Sequence, residues 1–355
     1  MPRAAKEAEF YNLDPFDISD SIEASIDECK YHFRHMTRIR LMEKYLDEAF
    51  HKKEVRGFCH LVIGQEGLYS ALKAMFEKNS QNKILTSYRC HGAAYATGCS
   101  IKEIVAENLG LLEGTCKGKG GSMHLYNKNL FGGHGIVGAQ VPLATGVAYS
   151  IKYKSFTQNA ANKNGKESFI AHSPDSICYS IYGDGASNQG QVFESLNMAK
   201  LYNLPIVYIV ENNKYGMYTP IENVSLDDCF YKRGYKIPGI RISDTNIFRL
   251  LKILKFAEGF SMKQGPIIIQ VDTYRICGHA AGDVIQYYKA EQEKAAEEKM
   301  DCLRNIRNML EKRMQEKEIA AFEEEIKGEV FKEIESLRFD QMPGKSELFT
   351  DLYYN

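Results

Sequence analysis

The sequence predicts an α/β protein: a mostly parallel sheet with helices on both faces and a charged helical C-terminal region. Three observations carry this. Ile177–Tyr182, Pro205–Val210 and Pro266–Val271 are short, near-continuous apolar runs, as in strands buried on both faces. Helix-compatible stretches, Gln191–Tyr202 and Ile247–Met262, alternate with them in the rhythm of βαβ units. The 355 residues are 44% hydrophobic and 26% charged, the mix of a folded chain with core enough for one large or two medium domains.

Taken in order, residues 1–25 read as an arm that packs on something rather than folding alone. Ile26–Ala49 places Met36, Ile39, Met42 and Leu46 at helical spacing, and Gln65–Phe76 reads as a second helix. Gly110–Gly146 holds ten of the 28 glycines, a density that implies unusual backbone conformations or backbone pressed against a ligand. Leu143–Lys154 is helix-compatible, and the polar, turn-rich stretch 156–176 reads as a surface insertion. Beyond the β/α alternation, residues 289–338 form a charged helical region with apolar spacing. Leu303, Ile306, Leu310 and Met314, then Phe322, Ile326 and Val330, suit helices packed on the domain, with a dimerising coiled coil as the alternative. The expected division is 1–25 arm, 26–290 catalytic domain and 291–355 helical region.

Composition excludes several functions. Lys+Arg number 45 against 46 Asp+Glu, so no overall field favours nucleic acid or an anionic membrane. The longest apolar runs fall short of the ~18–20 residues that span a bilayer. The nine cysteines form no CxxC pair, and their odd number and irregular spacing suggest reduced thiols in an intracellular protein. The N-terminal stretch has no apolar signal core. Its Glu7, Glu9, Asp14 and Asp17 do not suit a mitochondrial transit peptide, which leaves the cytoplasm open as a compartment.

Two glycine motifs compete for the chemistry. Gly133–Gly138 fits GxGxxG, but no clean strand precedes it, Pro142 interrupts the helix expected after it, and no acid lies ~20 residues on to hold a nicotinamide or flavin ribose. The other motif has better context: Gly183-Asp184-Gly185 closes one apolar strand and Asn212-Asn213 closes the next. A βαβ unit brings both ends to the same carboxyl edge of the sheet. There Asp184 and Asn213 offer hard oxygens for Mg²⁺, while the flanking glycines and a helix N-terminus suit a diphosphate.

With these motifs the chain resembles the thiamin-diphosphate-dependent 2-oxoacid dehydrogenases, in particular the family of eukaryotic-type pyruvate dehydrogenase E1 α subunits. The resemblance runs from Tyr31 to Asp283. It rests on Gly57–Gly67, Ser87–Gly92, Lys117–His124, Gly135–Gly146, Tyr182–Ser195, Glu211–Met217 and Thr273–His279. It implies a thiamin-diphosphate-binding fold, with Mg²⁺ held by Asp184, Asn213 and the Tyr215 carbonyl. Gly185 and Ala186 match backbone that cradles the diphosphate; Tyr88, Arg89 and Arg275 match cofactor contacts; Gly135 and Val137 match backbone that meets the aminopyrimidine ring. His60, His91 and His279 match active-site histidines, apt because an ordinary imidazole titrates near 6.5. Asn127 stands beside the substrate, with His60, Tyr88 and Arg89, where the family commonly has alanine.

The implied reaction is oxidative decarboxylation of pyruvate through a cofactor carbanion, with the acetyl unit passed to a lipoyl group on an E2 partner. The glutamate that activates the cofactor is expected on a β subunit, giving an α2β2 heterotetramer whose α chain alone is inactive. The family's usual home is the mitochondrial matrix. Where the family carries regulatory phosphoserines, this chain has Pro220, Ala280 and, on an ungapped alignment, Tyr287. The alternatives are an α subunit for another 2-oxoacid or acetoin, and a scaffold subunit that kept the fold without the catalysis.

Overall fold

The computed structural model describes residues 8–16, 24–160, 168–243, 245–283 and 299–352. At its centre is a seven-stranded sheet in the order β1-β6-β7-β5-β4-β2-β3. Its strands are β1 (Glu9–Tyr11), β2 (Lys83–Ser87), β3 (Leu130–His134), β4 (Cys178–Gly183), β5 (Ile206–Asn212), β6 (Gly239–Ser243) and β7 (Ile267–Asp272). Only β1 runs antiparallel to its neighbour. The β4, β5 and β7 cores come from the three apolar runs, and β5 is buried along its whole length.

Helices cover both faces: α1 (Ile26–His51), α2 (Glu66–Lys78), α3 (His91–Ala96), α4 (Ile101–Leu109), α5 (Gln140–Ala160), α6 (Gly190–Leu201), α7 (Ile247–Gln264), α8 (Cys302–Glu311) and α9 (Glu316–Glu335). One hydrophobic core lies on the α1/α2/α7 side and a second on the α5/α6 side. The long helix α1 starts at a capping box, in which Ser25 Oγ accepts the Glu28 N–H and the Glu28 carboxylate accepts the Ser25 N–H. It buries Phe33, Met36, Ile39, Met42 and Leu46 at the predicted spacing, each contributing about 1.5–3 kcal/mol.

Of the arm, the described residues 8–16 pack on the body. β1 extends the sheet edge along β6, and Phe16 stacks on Phe256 of α7 at 4.2 Å. The charged C-terminal helices also pack within the chain: Ile306, Ile326, Val330 and Ile334 join the core that holds α1. Arg34 and Arg38 of α1 pair with Glu325, Glu329 and Glu333 along α9. The helix-packing alternative is therefore the one realised among the described residues. No cysteine is disulfide-bonded, and no described helix is long and apolar enough to cross a membrane.

The sequence reading passed over β1, β2, β3, β6, α3 and α4. All are short, and β3 reads LFGGH, where two glycines hide the strand pattern. A strand thus does precede the GxGxxG stretch, and Pro142 sits in the first turn of α5, where the N–H that proline lacks would have had no partner within the helix. Of the stretch 156–176, its first residues extend α5; residues 161–167, like 289–298 and Tyr287, lie outside the described residues.

At the α1–α2 junction, Arg40 forks onto the fully buried Glu66 and also reaches Asp301 at 2.9 Å. Arg40→Met would leave a buried carboxylate uncompensated, and a stability loss of about 3–5 kcal/mol is expected. Urea unfolding measures it; an unchanged midpoint would show that Glu66 does not depend on the pairing.

Candidate functional site

β2 through β7 are parallel, so their carboxyl ends share one edge. After β2 the chain moves to β3 on one side, and after β4 it moves to β5 on the other. This reversal opens a crevice between β2 and β4, the usual ligand position in an open α/β sheet. A cavity of about 240 Å³ lies there. Tyr88 and Arg89 follow β2, Val137 follows β3, Asp184–Ala186 follow β4, Asn213 and Tyr215 follow β5, and Arg275 and His279 follow β7; all line it.

The oxygen donors converge. Asn213 Oδ1 accepts the Tyr215 N–H at 3.3 Å, a tight turn that swings the Tyr215 carbonyl towards the cavity. A single Arg275 nitrogen, Nη1, donates to both Asn213 Oδ1 (3.2 Å) and the Tyr215 carbonyl (3.3 Å), so the two oxygens aim at one cationic position. Asp184 is 5% exposed, and burial raises its carboxyl pKa above the usual range, partly offset by Arg275 and Arg89. Two neutral hard oxygens and one carboxylate around a position already favoured by a cation fit Mg²⁺. Beyond Gly185 and Ala186, the N-terminus of α6 supplies a favourable end for an anion.

Arg89 is less free than its sequence context implies. Its guanidinium donates to the Leu61 carbonyl (2.6 Å) and the His279 carbonyl (2.9 Å), tying loop 58–64 to loop 274–281. The two loops are pressed together elsewhere: Ala281 N–H donates to Cys59 O at 2.7 Å, and a Cβ on Gly64, at φ +94°, would lie 2.2 Å from Tyr274 O. The stapling puts the rings of His60, Tyr88 and His279 together, with His60 4.4 Å from Tyr88 and 5.4 Å from His279.

Burial changes what the histidines can do. With Arg89 adding to it, burial pushes the His60 pKa down to about 2 and that of His279 to about 3. Both are neutral at neutral pH and act as hydrogen-bonding imidazoles, not as the half-protonated groups their ordinary pKa implied. His60 is not itself in the cavity wall, and its Nδ1 is buried without a hydrogen-bond partner among the described residues.

Two sequence-predicted site residues are corrected. His91 is fully buried and off the cavity: Nδ1 meets the Glu43 carboxylate (3.0 Å) and Nε2 meets Ser122 Oγ (3.0 Å). It heads the helix that follows Arg89, and that first turn points it into the core. Asn127 is consumed by its own turn: Oδ1 accepts the Asn129 and Leu130 N–H groups, and Nδ2 donates to Thr97 Oγ1 (2.8 Å). Gly135 is exposed next to Val137 at the rim and is not part of the cavity wall.

Glu211 was missed. It closes β5 inside the cavity wall, with its pKa pushed up to about 7 by burial and Tyr69 as a hydrogen-bond partner at 3.3 Å. A carboxylate ending an otherwise apolar strand was the available signal.

The family profile of the dehydrogenase E1 component matches residues 34–344. The chain is 39% identical over 352 residues to the pyruvate dehydrogenase E1 component subunit alpha of Dictyostelium discoideum, covering 98% of this chain and 88% of that relative. It is also 39% identical to the somatic form of Bos taurus over 358 residues, 99% of this chain and 85% of the relative. Identity to the Homo sapiens somatic form is 40% over 334 residues, 93% and 79% of the two chains. All three relatives are mitochondrial by name. Matched by one family profile along most of its length and by these relatives almost from end to end, the chain belongs to the dehydrogenase E1 component family.

Proposed function

We propose that this chain is the α subunit of a pyruvate dehydrogenase E1, working with thiamin diphosphate and Mg²⁺ in a site completed by a β subunit. The observation that carries this is the convergence of Asp184, Asn213 and the Tyr215 carbonyl at the crevice between β2 and β4. In this reading residues 26–290 form the cofactor-bearing domain.

When bound, thiamin diphosphate supplies the nucleophilic carbon and the electron sink for loss of CO₂. The protein's residues do the rest. Asp184, Asn213 and Tyr215 hold the Mg²⁺, and Gly185, Ala186 and the α6 N-terminus receive the diphosphate. The neutral rings of His60 and His279 offer N–H groups to the oxygens of a 2-oxoacid. Arg89 keeps both rings in register through the two loop carbonyls it binds.

The β-subunit partner is supported by the rim. Ile136 is 75% exposed and Val137 42%, apolar groups beside a cofactor cavity that a second chain would cover. The mitochondrial relatives support the matrix or a related organelle as the compartment.

The α and β chains, combined with thiamin diphosphate and Mg²⁺, should turn over pyruvate faster than 2-oxobutyrate and much faster than 2-oxoisovalerate. Preference for the branched substrate would move the chain to another 2-oxoacid. A second expectation concerns regulation. Ala280 and Pro220 offer no hydroxyl, so a kinase acting on E1 α subunits, given ATP, should leave the αβ complex active. Loss of activity in step with phosphate on residues 214–225 or 279–283 would refute this.

A further inference from the structure

Glu43, His91 and Ser122 make a carboxylate–imidazole–hydroxyl line outside the cavity. Glu43 Oε2 lies 3.0 Å from His91 Nδ1, and His91 Nε2 lies 3.0 Å from Ser122 Oγ. In outline this is the arrangement that activates a serine nucleophile. Here Glu43 and His91 are fully buried and Ser122 is 2% exposed, so no substrate reaches the hydroxyl. The role of the line lies instead in the segments its two ends hold.

At one end, Glu43 Oε1 accepts the Val62 N–H at 3.3 Å, from the loop that carries His60 and gives its Leu61 carbonyl to Arg89. At the other end, Ser122 belongs to the glycine-rich segment under β3. Its carbonyl accepts Cys90 Sγ–H at 3.3 Å. Two residues on, His124 Nδ1 meets the Gly133 carbonyl at 3.0 Å. Gly133 is locked over this segment: a Cβ there would lie 2.3 Å from Met123 O. Gly133 leads directly into Gly135–Val137. His91 itself heads α3, immediately after Tyr88 and Arg89.

We propose that Glu43, His91 and Ser122 form a buried hydrogen-bonded strut that sets the spacing between the His60 loop and the Gly133–Val137 cofactor loop. The three are positioning residues for the reaction, and the assignment rests on the pyruvate dehydrogenase reading given above. The chemistry suits the task. With Nδ1 carrying the proton, His91 donates to the carboxylate while its Nε2 accepts a hydrogen bond from the Ser122 hydroxyl, so each bond orients the next. His91 joins Glu43 to Ser122, and the Cys59 thiol beside His60 also hydrogen-bonds the Ser122 side chain, so removing either end loosens the same ring.

The test uses the αβ complex with thiamin diphosphate, Mg²⁺ and pyruvate, comparing wild type with Glu43→Gln, Ser122→Ala and the double variant. Each single change should lower kcat about 10–100-fold, the usual consequence of displacing reacting groups by an ångström or less. Pyruvate KM and cofactor affinity should stay within about threefold of wild type, because the Mg²⁺ ligands are untouched. The double variant should be no worse than the poorer single, since the ends act as one unit. Ser122→Thr, which keeps the hydroxyl, should restore most of kcat. Singles that retain kcat within about twofold, or losses that multiply in the double, overturn the strut. So does a fall in kcat matched by an equal loss of cofactor affinity. A wild-type complex that does not turn over pyruvate instead defeats the functional reading, which separates the two failures.

Discussion

Asp184→Ala should abolish thiamin-diphosphate binding and, with it, all activity of the αβ complex. Among the three oxygens that converge on the crevice, Asp184 is the only one bearing a charge; Asn213 and the Tyr215 carbonyl are dipoles. Removing it leaves Mg²⁺ facing Arg275 and Arg89, with only the buried Glu211 carboxyl, its pKa pushed up to about 7, left among the acids of the cavity wall. Even outer-sphere changes at metal sites cost about 10–100-fold in affinity, so loss of a direct ligand should exceed about 100-fold. Calorimetric titration of the αβ complex with cofactor in the presence of Mg²⁺ reads it directly. Asp184→Asn should retain part of the affinity, because an oxygen remains. Cofactor bound by Asp184→Ala at near wild-type affinity would sink the ligand assignment.

The same carboxyl sets a pH dependence. Burial raises its pKa, so in the empty site it keeps its proton to a higher pH than an exposed aspartate does. Mg²⁺ requires the ionised form. Affinity should therefore be full above the raised pKa and fall as pH drops through it. Affinity that is flat in pH below neutrality would contradict the role.

The α chain alone should decarboxylate pyruvate at least about 100–10,000-fold more slowly than the αβ complex, the span attributed to a positioned general acid or base. The acids in the cavity wall are already committed. In the proposed reading Asp184 holds the metal, and Glu211 is buried near the end of β5 against Tyr69. Gly135, Ile136 and Val137 meanwhile stand exposed at the cavity rim. No described residue of this chain covers them, and the proposed β subunit would. Equal turnover by purified α and by the αβ mixture would show that the site is complete without a partner.

How much of this was legible in the sequence depended on whether the signal was local. The apolar runs of β4, β5 and β7 announce themselves, since a strand buried on both faces has no room for polar residues. The candidate metal ligands Asp184 and Asn213 were legible because they end two such strands, and strand ends in a parallel sheet fall on one edge. β3 was not, because Gly132 is demanded by a positive φ beside the Tyr126 ring and Gly133 by the close approach of the Met123 carbonyl, not by strand propensity. The histidines were legible as residue types but not as roles. His60, His91 and His279 all sit in motif segments, yet of the three only His279 lines the cavity, His60 packs against its ring, and His91 faces Glu43 and Ser122, residues far apart in sequence.

The spacing of glycines, acids and apolar runs was enough to establish the α/β architecture, the Asp184–Asn213 pair and the kinship with the E1 family, because each depends on contacts made within one βαβ unit. Only the tertiary structure decided which loops are clamped together, and therefore that His60 and His279 are neutral, that Arg89 is a staple, that Asn127 serves its own turn and that His91 is held between Glu43 and Ser122. Those outcomes come from burial and from hydrogen bonds between segments as much as 190 residues apart, and desolvation by distant segments leaves no mark on local sequence. The two glycine motifs that compete in the sequence are resolved the same way: they stand at the ends of β3 and β4, on either side of β2, and face one crevice.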